Sequence, residues 1–495
     1  MNDSTSTKRV VVNSIVYSFS GILLKCFSFF LLPLYTVYLT TEDYGITSIA
    51  TSFIGTMTFI VSLSLYSAVM RFFVDLKNEP EKLKRFYGTI TLFTLASGIF
   101  WLALLTAFRD LVSKKIFSGI DYYPVIIVCV LALIFTCQTT IYDDILKSQQ
   151  KALKSSIITI VTFFVTVGFN ILLIVVFKLG ALGSLLSTLI TQLLYTLYFW
   201  GDMIVHKQIQ FCIDLELLKD ALKYSIPIIP HNLATKLALL ISKVLIGDAA
   251  SLASVGIYAV AAQFGDIADT LQGYVDKAYQ PWLYEKLKER DESYKESIRS
   301  TVKMLIAVLG LLFVCIALFA HDYIVLFVNK AYGDAWKYIP LMILVFSIKT
   351  IYYFYVEVLF YHKKASRLLF IATLSSSLIN ILLSYFIIPV YGIIGSIIAD
   401  AIAMLIRVAI VFSFSLKFEN IGLKVQDFIL NFITIALFIG IGLILSFTKY
   451  QYTFSFINLG YKIIVVGVYV ALIYFKYKKQ IVPLIRSLAN KRKKA

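Results

Sequence analysis

Charge is scarce in this chain. Asp, Glu, Lys and Arg make up 15% of its 495 residues, whereas apolar residues make up 59%; a typical soluble domain has about 25% charged and about 45–50% apolar residues. The composition argues against a soluble multidomain enzyme, because the surface of such a protein requires more charge. It also argues against a disordered chain, since the sequence contains 39 Phe and 32 Tyr.

Residues for disulfide, metal or nucleotide chemistry are also few. The five cysteines lie in or beside apolar runs with no paired spacing, which argues against a disulfide framework and against a zinc site. The four histidines lie far apart and lack metal-ligand spacing. The sequence contains no P-loop motif, so ATP is not expected to be the direct energy source. We therefore predict no metal and no cofactor.

Long apolar runs are what the sequence has in abundance. A bilayer core of roughly 30 Å requires about 20 apolar residues in a helix, and runs of that length recur from end to end. We predict an all-α polytopic membrane protein with about fourteen transmembrane helices; a twelve-span interpretation would omit the last two. The predicted spans are residues 11–39, 44–74, 86–108, 123–146, 155–177, 180–205, 224–247, 254–280, 302–320, 339–361, 367–388, 391–415, 428–448 and 456–475.

The distribution of Lys and Arg predicts the orientation of these spans. If the N-terminus is cytoplasmic, 31 Lys and Arg fall in cytoplasmic segments and 7 in outer segments, and short cytoplasmic loops are enriched in these residues. We therefore predict a multi-pass protein with both termini in the cytoplasm, which requires an even number of spans. Topology then accounts for most of the net charge of +17, which no longer indicates nucleic-acid binding.

The chain repeats itself with an offset of about 211 residues. Gly180–Ser184 recurs as Gly392–Ser396, and Tyr44–Ile46 matches Val255–Ile257. Two further matches, starting at residues 151 and 170, occur in the same order as their counterparts at 364 and 380. Parallel repeats related by an axis along the membrane normal are found in transporters, where the substrate path lies between the two halves near the midplane.

The repeat predicts the domain organisation. We predict an N-lobe of spans one to six at residues 1–205, a cytoplasmic linker at 206–223 and a C-lobe of spans seven to twelve at 224–415. Spans thirteen and fourteen and a basic cytoplasmic tail occupy residues 416–495 and fall outside the repeat.

Several local motifs resemble those of a known superfamily. They are Leu39–Gly45 (LTTEDYG) after span one, Tyr224–Pro230 (YSIPIIP) opening span seven, Val255–Tyr258 (VGIY) opening span eight and Tyr391–Gly395 (YGIIG) opening span twelve. Together with fourteen spans in two lobes, they are similar to the Wzx-type polysaccharide and O-antigen flippases of the multidrug/oligosaccharidyl-lipid/polysaccharide exporter superfamily. The resemblance covers about residues 10–415 and specifies the superfamily better than the substrate.

The resemblance implies a function as well as a fold. It implies two pseudo-symmetric six-helix lobes in a V-shaped, MATE-like arrangement that alternates between inward and outward openings in the bacterial inner (cytoplasmic) membrane. The implied cargo is a polyprenyl-diphosphate-linked oligosaccharide for O-antigen, capsule or exopolysaccharide, and a polysaccharide polymerase and chain-length proteins are candidate partners besides membrane lipids. Such a flippase is not an enzyme, and coupling to H⁺ or Na⁺ stays open.

Three other functions are weighed against the flippase. A multidrug or organic-ion exporter of the same superfamily would carry cationic cargo, and deep lysines argue against it. A membrane glycosyltransferase or polymerase usually needs a larger outer loop or cytosolic domain than the connections at residues 109–122 and 321–338 provide. A scaffold for a biosynthetic complex does not require deep charges.

Eight cations fall inside the predicted spans, and their depth separates them. A charge at the bilayer centre costs about 2.5–3.5 kcal/mol, so a cation that cannot reach the surface is expected to face a cavity or a partner. Lys25 and Lys236 lie at the middle of spans one and seven, 211 residues apart, and are predicted to face each other across a cationic cleft. The other predicted substrate-binding residues are Lys243, Lys349, Arg71, Arg407 and Tyr353.

Each of these cations also has a structural alternative. A deep lysine that pairs with a buried carboxylate would only hold helices together. Arg71, Lys277 and Lys462 lie near the ends of their spans, where the long side chain is expected to snorkel to the membrane surface. Arg407 lies about seven residues from the cytoplasmic end of its span, which leaves both roles open.

Deep acids are candidates for ion coupling or gating, a role that carboxylates inside transporters often have. These residues are Asp266, Asp269, Glu357 and Asp400. The alternative for the first two is a salt bridge to Lys236 or Lys243. Glu357 is predicted to share a helix face with Lys349 and Tyr353, because the three follow one another at four-residue spacing.

Overall fold

The structure is a computed structural model, and it describes residues 3–291, 293–362 and 368–492. Every long regular element in these ranges is an α-helix, and they contain no β-strand, so the all-α prediction is confirmed. The first half of the chain contains α1 (Asp3–Tyr38), α2 (Thr41–Val61), α3 (Tyr66–Leu76), α4 (Pro80–Ala107), α5 (Arg109–Ile116), α6 (Ile127–Ser148), α7 (Ala152–Asn170) and α8 (Gly180–Val205). The second half contains α9 (Leu215–Ser225), α10 (Ile229–Ala249), α11 (Leu252–Glu289), α12 (Tyr294–Phe327), α13 (Ala335–Tyr361), α14 (Leu368–Phe418), α15 (Val425–Thr448) and α16 (Phe456–Arg492).

The helices account for the predicted spans. Among the described residues, twelve helices are long and apolar enough to cross a membrane. One of them, α14, has 51 residues, which is roughly 75 Å of helix and more than twice the thickness of a bilayer core. It is interrupted at Gly392, so it is long enough for two spans. The α11 helix overlaps the predicted eighth span but is not among the twelve. Both α15 and α16, which a twelve-span interpretation would omit, are among the twelve.

The described helices fall into two units. The first unit comprises residues 1–256 and 384–392, and the second comprises residues 257–383 and 393–495. The predicted division into lobes at residues 1–205 and 224–415 is not tested by these boundaries and stays a prediction.

A reciprocal glycine contact joins α2 and the start of α11 inside the first unit. A Cβ atom added to Gly45 would lie 2.0 Å from the carbonyl oxygen of Leu252, and one added to Gly256 would lie 2.0 Å from the carbonyl oxygen of Thr41. Gly256 follows Gly45 by 211 residues, and Leu252 follows Thr41 by the same 211. Such a self-complementary contact is what a local two-fold axis produces, so these two segments of the repeat are symmetric in structure as well as in sequence.

The two helices also begin in the same way. The hydroxyl of Thr40 accepts a hydrogen bond from the backbone N–H of Asp43 at 3.0 Å, and the hydroxyl of Ser251 accepts one from the N–H of Ser254 at 3.1 Å. Both pairs are related by 211 residues. A side-chain cap of this kind satisfies an N–H group that has no partner in the helix, so it determines where each helix starts.

A second pair of repeat-related positions has the same unusual backbone. Gly180 and Gly392 both have φ of 55°, in the left-handed region that residues with a side chain rarely adopt. Gly180 begins α8, where the carboxylate of Asp43 accepts the N–H of Ala181 at 2.9 Å. The first glycine of the repeat motif is therefore required by backbone conformation in both copies.

A buried ion pair holds α16 against α12 in the second unit. Lys462 has no exposed side-chain area; its Nζ lies 2.7 Å from Asp322 Oδ2 and 3.2 Å from His321 Nδ1. His321 Nε2 in turn donates to the carbonyl oxygen of Tyr450 at 2.8 Å. The expectation that Lys462 snorkels to the surface is wrong, because its buried amine is paired with a carboxylate on the neighbouring helix.

A polar contact outside the membrane spans also secures the loop between α15 and α16. Asp334, just before α13, accepts hydrogen bonds from Lys337 Nζ and from the hydroxyl of Tyr452, both at 2.7 Å. These two donors hold the pKa of Asp334 below its usual value. The final pair of helices, which lies outside the sequence repeat, is thus attached to α12 and to the start of α13 by specific contacts.

Replacing Lys462 with methionine is expected to destabilise the protein by about 3–5 kcal/mol, because Asp322 would remain as a buried charge without its partner. The double variant Lys462→Met/Asp322→Leu is expected to recover much of that loss, since it removes both charges. Thermal unfolding in detergent measures the effect, and Lys449→Met, at a loop lysine, is the control. Equal melting temperatures for Lys462→Met and Lys449→Met would contradict a buried pair.

Candidate functional site

Polar side chains from α11 and α13 meet inside the second unit. Asp269 of α11 accepts hydrogen bonds from Lys349 Nζ at 2.5 Å and from the hydroxyl of Tyr353 at 3.1 Å. Lys349 and Tyr353 are four residues apart on α13 and therefore share a face, and the Lys349 amine also lies 5.4 Å from the centre of the Tyr353 ring. Two predicted substrate-binding residues and one predicted coupling residue thus form a single cluster.

The Asp269 cluster is neither sealed nor fully solvated. The side chain of Lys349 is 18% exposed and that of Asp269 is 36% exposed. Part of this ion pair therefore remains accessible to a ligand, while the surrounding helices restrict its hydration. A partly desolvated ammonium group binds an anion more strongly than one in bulk water.

A neutral hydrogen-bond network lies beside this cluster. Gln272 Nε2 donates to the carbonyl oxygen of Phe346 at 2.8 Å and to the hydroxyl of Thr350 at 2.5 Å. These bonds connect α11 to α13 one turn from Asp269 and hold the two helices in register. Sequence reasoning missed Gln272 because it considered only charged and aromatic residues as deep functional groups.

Glu357 belongs to a separate network. Its side chain is buried, and its Oε2 accepts hydrogen bonds from Gln280 Nε2 at 2.6 Å and from the hydroxyl of Tyr284 at 3.0 Å. Lys349, Tyr353 and Glu357 all contact α11, which agrees with the predicted shared face of α13. The first two contact Asp269, whereas Glu357 contacts residues more than two turns further along α11.

Asp276 is an acid that the sequence analysis did not select. It lies on α11 between Asp269 and Gln280, and its Oδ1 atom is buried with no hydrogen-bond partner in the part of the chain that the structure describes. Buried polar atoms normally have a partner in the protein or in ordered water, so this oxygen is available to a proton or a cation. The predicted end of span eight at residue 280 had placed Asp276 close to the membrane surface.

The remaining predicted residues of the second unit lie mainly along α14. Arg407 donates from Nε to the hydroxyl of Ser376 at 2.8 Å and from Nη2 to that of Ser377 at 3.4 Å. Asp400 accepts a hydrogen bond from Asn380 Nδ2 at 2.7 Å. These partners are neutral, so they orient the charged groups without cancelling their charge.

In the first unit, Lys243 of α10 is directed at α2. Its Nζ donates to the hydroxyl of Ser52 at 2.8 Å and to the carbonyl oxygen of Ser48 at 3.3 Å. The carbonyl oxygen of Lys236 accepts a hydrogen bond from the hydroxyl of Thr56 at 3.2 Å. Lys236 is exposed, as is Lys25 on α1. That Lys25 and Lys236 face each other across one cleft stays a prediction.

The last two predicted residues have local contacts. Arg71 Nε lies 3.0 Å from Asp75 Oδ2 on the same helix, and the two side chains are 61% and 47% exposed. Exposed pairs of this kind contribute little to stability. This contact is therefore also what we expect of an arginine that lies at the protein surface. Asp266 is exposed, and its carbonyl oxygen accepts the hydroxyl of Thr270 at 2.6 Å. Their roles in substrate binding and in ion coupling stay predictions.

The fold, with charged residues inside the helical units, defines the class: a multi-pass helical membrane protein with the fold of a flippase or exporter. The structure titled lipid II flippase MurJ, in an inward closed conformation, is similar with a TM-score of 0.68 and 17% identity over 94% of this chain and 99% of that one. An inward-facing multidrug resistance MATE transporter of the MOP superfamily is similar with a TM-score of 0.59 and 13% identity over 80% and 97% of the two chains.

The model of the polysaccharide biosynthesis protein family matches residues 38–341, so the chain belongs to that family. An uncharacterized membrane protein of Haemophilus influenzae is 24% identical over 373 residues, which are 74% of this chain and 88% of that protein. The resemblance that the sequence motifs indicated is confirmed.

Proposed function

We propose that this protein is a flippase for a polyprenyl-diphosphate-linked oligosaccharide. In this proposal the diphosphate and its glycan enter between the lobes from the cytoplasm, the polyprenyl chain stays in the lipid, and the lobes alternate to release the head group at the outer leaflet of the bacterial inner membrane. The family supports a role in polysaccharide biosynthesis, and the MurJ and MATE neighbours support the transport fold.

The observation that carries the proposal is the partly exposed Lys349, held in the second unit by Asp269, which also accepts the hydroxyl of Tyr353. An ammonium group at this depth is retained at a cost, and an anionic cargo explains why. Lys243 and Arg407, oriented by hydroxyl and carbonyl groups, add donors that suit phosphate oxygens. The same cations would repel the organic cations that a multidrug exporter carries.

Binding alone gives transport no direction, so either ion coupling or downstream consumption of the exported product must supply it. We propose that a buried carboxylate of the second unit carries the coupling ion. Asp276, with its unpaired oxygen, is the strongest of these acids, ahead of Asp400, which is bonded to Asn380. H⁺ and Na⁺ are both compatible with a carboxylate.

A deletion strain tests the proposal. Loss of the gene is expected to abolish the surface polysaccharide and to accumulate the lipid-linked oligosaccharide, whose mass would also identify the cargo. Complementation with Lys25→Ala or Lys236→Ala is expected to restore export about tenfold less well than the wild type, since a charge-assisted hydrogen bond is worth about 1.5–3 kcal/mol. Lys207→Ala, at a loop lysine, is the matched control.

One outcome would contradict the proposal: a deletion strain with normal surface polysaccharide and increased sensitivity to organic cations would favour the multidrug exporter. Full export by both Lys25→Ala and Lys236→Ala, at normal expression, would remove these two lysines from the site and would leave the anion-binding role to Lys349.

A further inference from the structure

A cavity of about 650 Å³ lies between α12, α15 and α16 of the second unit. One end of it is polar, with Lys303, Asp427 and Lys476, and its side is apolar, with Ile306, Leu430 and Leu472. No residue of the proposed transport site lines it. The α15 and α16 helices also fall outside the sequence repeat that forms the two lobes.

The polar end of the cavity carries excess positive charge. The carboxylate of Asp427 lies 2.8 Å from Arg299 Nε and 3.2 Å from Lys303 Nζ, so one acid serves two cations. Lys476 adds a third cation on α16, where its side chain is exposed. This end of the helices is the one for which the loop charges predict a cytoplasmic location, and basic pockets between helices on that side suit anionic lipid head groups.

The apolar side of the cavity is open to the exterior of the helices. Ile306 is only 3% exposed and forms the floor, whereas Leu430 and Leu472 are 56% and 52% exposed. Both α15 and α16 are apolar enough to cross a membrane, so these leucines lie at the depth of lipid chains. The α16 helix departs from helical geometry at Tyr477, where the apolar run gives way to the basic segment.

We propose that this cavity binds one anionic phospholipid of the surrounding bilayer. The lipid phosphate lies between Lys303 and Lys476, and an acyl chain follows Ile306, Leu430 and Leu472. Inorganic phosphate alone would leave the apolar side of the cavity unfilled, and a zwitterionic lipid would bring its ammonium group against the excess of cations. The bound lipid is a resident component of the protein and is separate from the transported cargo.

Native mass spectrometry of the delipidated full-length protein tests this inference. With phosphatidylglycerol and phosphatidylcholine added in equal amounts, the wild type is expected to retain phosphatidylglycerol preferentially. Lys303→Gln and Lys476→Gln are each expected to weaken that binding about tenfold, which is the scale of one charge-assisted hydrogen bond. Arg299 still neutralises Asp427 in the first variant, so the fold is expected to persist, and the melting temperature verifies it.

Two further variants separate this site from general surface charge. Lys478→Gln removes the same charge near the same end of α16. The amine of Lys478 lies over the ring of Tyr474, and this residue does not line the cavity. Lipid binding by this variant is therefore expected to match that of the wild type. Leu472→Trp fills the apolar side without changing charge and is expected to weaken lipid binding as well. Equal losses for Lys476→Gln and Lys478→Gln would overturn the proposal, as would preferential retention of a polyprenyl phosphate over phosphatidylglycerol.

Discussion

Alanine at Gly256 or at Gly45 is expected to lower the stability of the protein by about 1–3 kcal/mol or more. The added Cβ would lie 2.0 Å from a backbone carbonyl oxygen of the facing helix, and a carbonyl in a helix cannot rotate away as a side chain does. The α2 and α11 helices would have to separate by roughly an ångström to restore contact distances. Thermal unfolding and the yield of folded protein measure the result.

The chain provides matched controls on the same two helices. A Cβ on Gly55 of α2, or on Gly273 of α11, would have no atom within 4 Å. Alanine at these positions is expected to be neutral or stabilising, because alanine is favoured over glycine in a helix by about 1 kcal/mol. If Gly256→Ala and Gly273→Ala unfold at the same temperature, the close crossing is not a feature of the protein in solution.

Symmetry adds a quantitative expectation for the double variant. One separation of α2 from α11 relieves both collisions, because Gly45 and Gly256 belong to the same crossing. The double variant Gly45→Ala/Gly256→Ala is therefore expected to lose less stability than the sum of the two single losses, as contacting residues do. Additive losses would show two independent contacts and would contradict the local two-fold arrangement.

The sequence predicted the helices and much of their symmetry because both follow from local patterns. An apolar run of about 20 residues has few alternatives to a membrane span, and the matched motifs at Gly45 and Gly256 coincide with a backbone contact that excludes a side chain. Lys462 was misinterpreted because its depth was judged from distance along the chain. Its partner, Asp322, lies 140 residues away in sequence, and no local pattern indicates such a pairing.

The candidate site was predicted only in part, because local patterns do not show which helices pack against each other. Helical spacing correctly placed Lys349 and Tyr353 on one face of α13, but it could not show that α11 supplies the opposite face. The salt bridge weighed as the alternative role for Asp269 was to a lysine of α10, whereas the structure pairs it with Lys349. Asp276 was missed because its burial depends on the packing of neighbouring helices, which the sequence pattern does not predict.

The double variant that exchanges the charges of Asp269 and Lys349 is expected to fold like the wild type but not to export polysaccharide. If the pair only joined α11 to α13, the double variant Asp269→Lys/Lys349→Asp would re-form it and both properties would recover. A cargo-binding role instead requires the ammonium group on α13 beside Tyr353, and the exchange moves it to α11. Surface polysaccharide and the amount of folded protein, measured in the same cells, separate the two roles.

The single variants sharpen this test. Lys349→Gln is expected to lower export about tenfold or more, since it removes a charge-assisted hydrogen bond to the cargo. Asp269→Asn is expected to have a smaller effect, because it keeps the cation and the new amide oxygen can still accept the hydroxyl of Tyr353. Tyr353→Phe, which removes only the 3.1 Å hydrogen bond to Asp269, is the conservative control. Full export by the charge-exchanged protein would show that this pair stabilises the second unit and does not bind the anion.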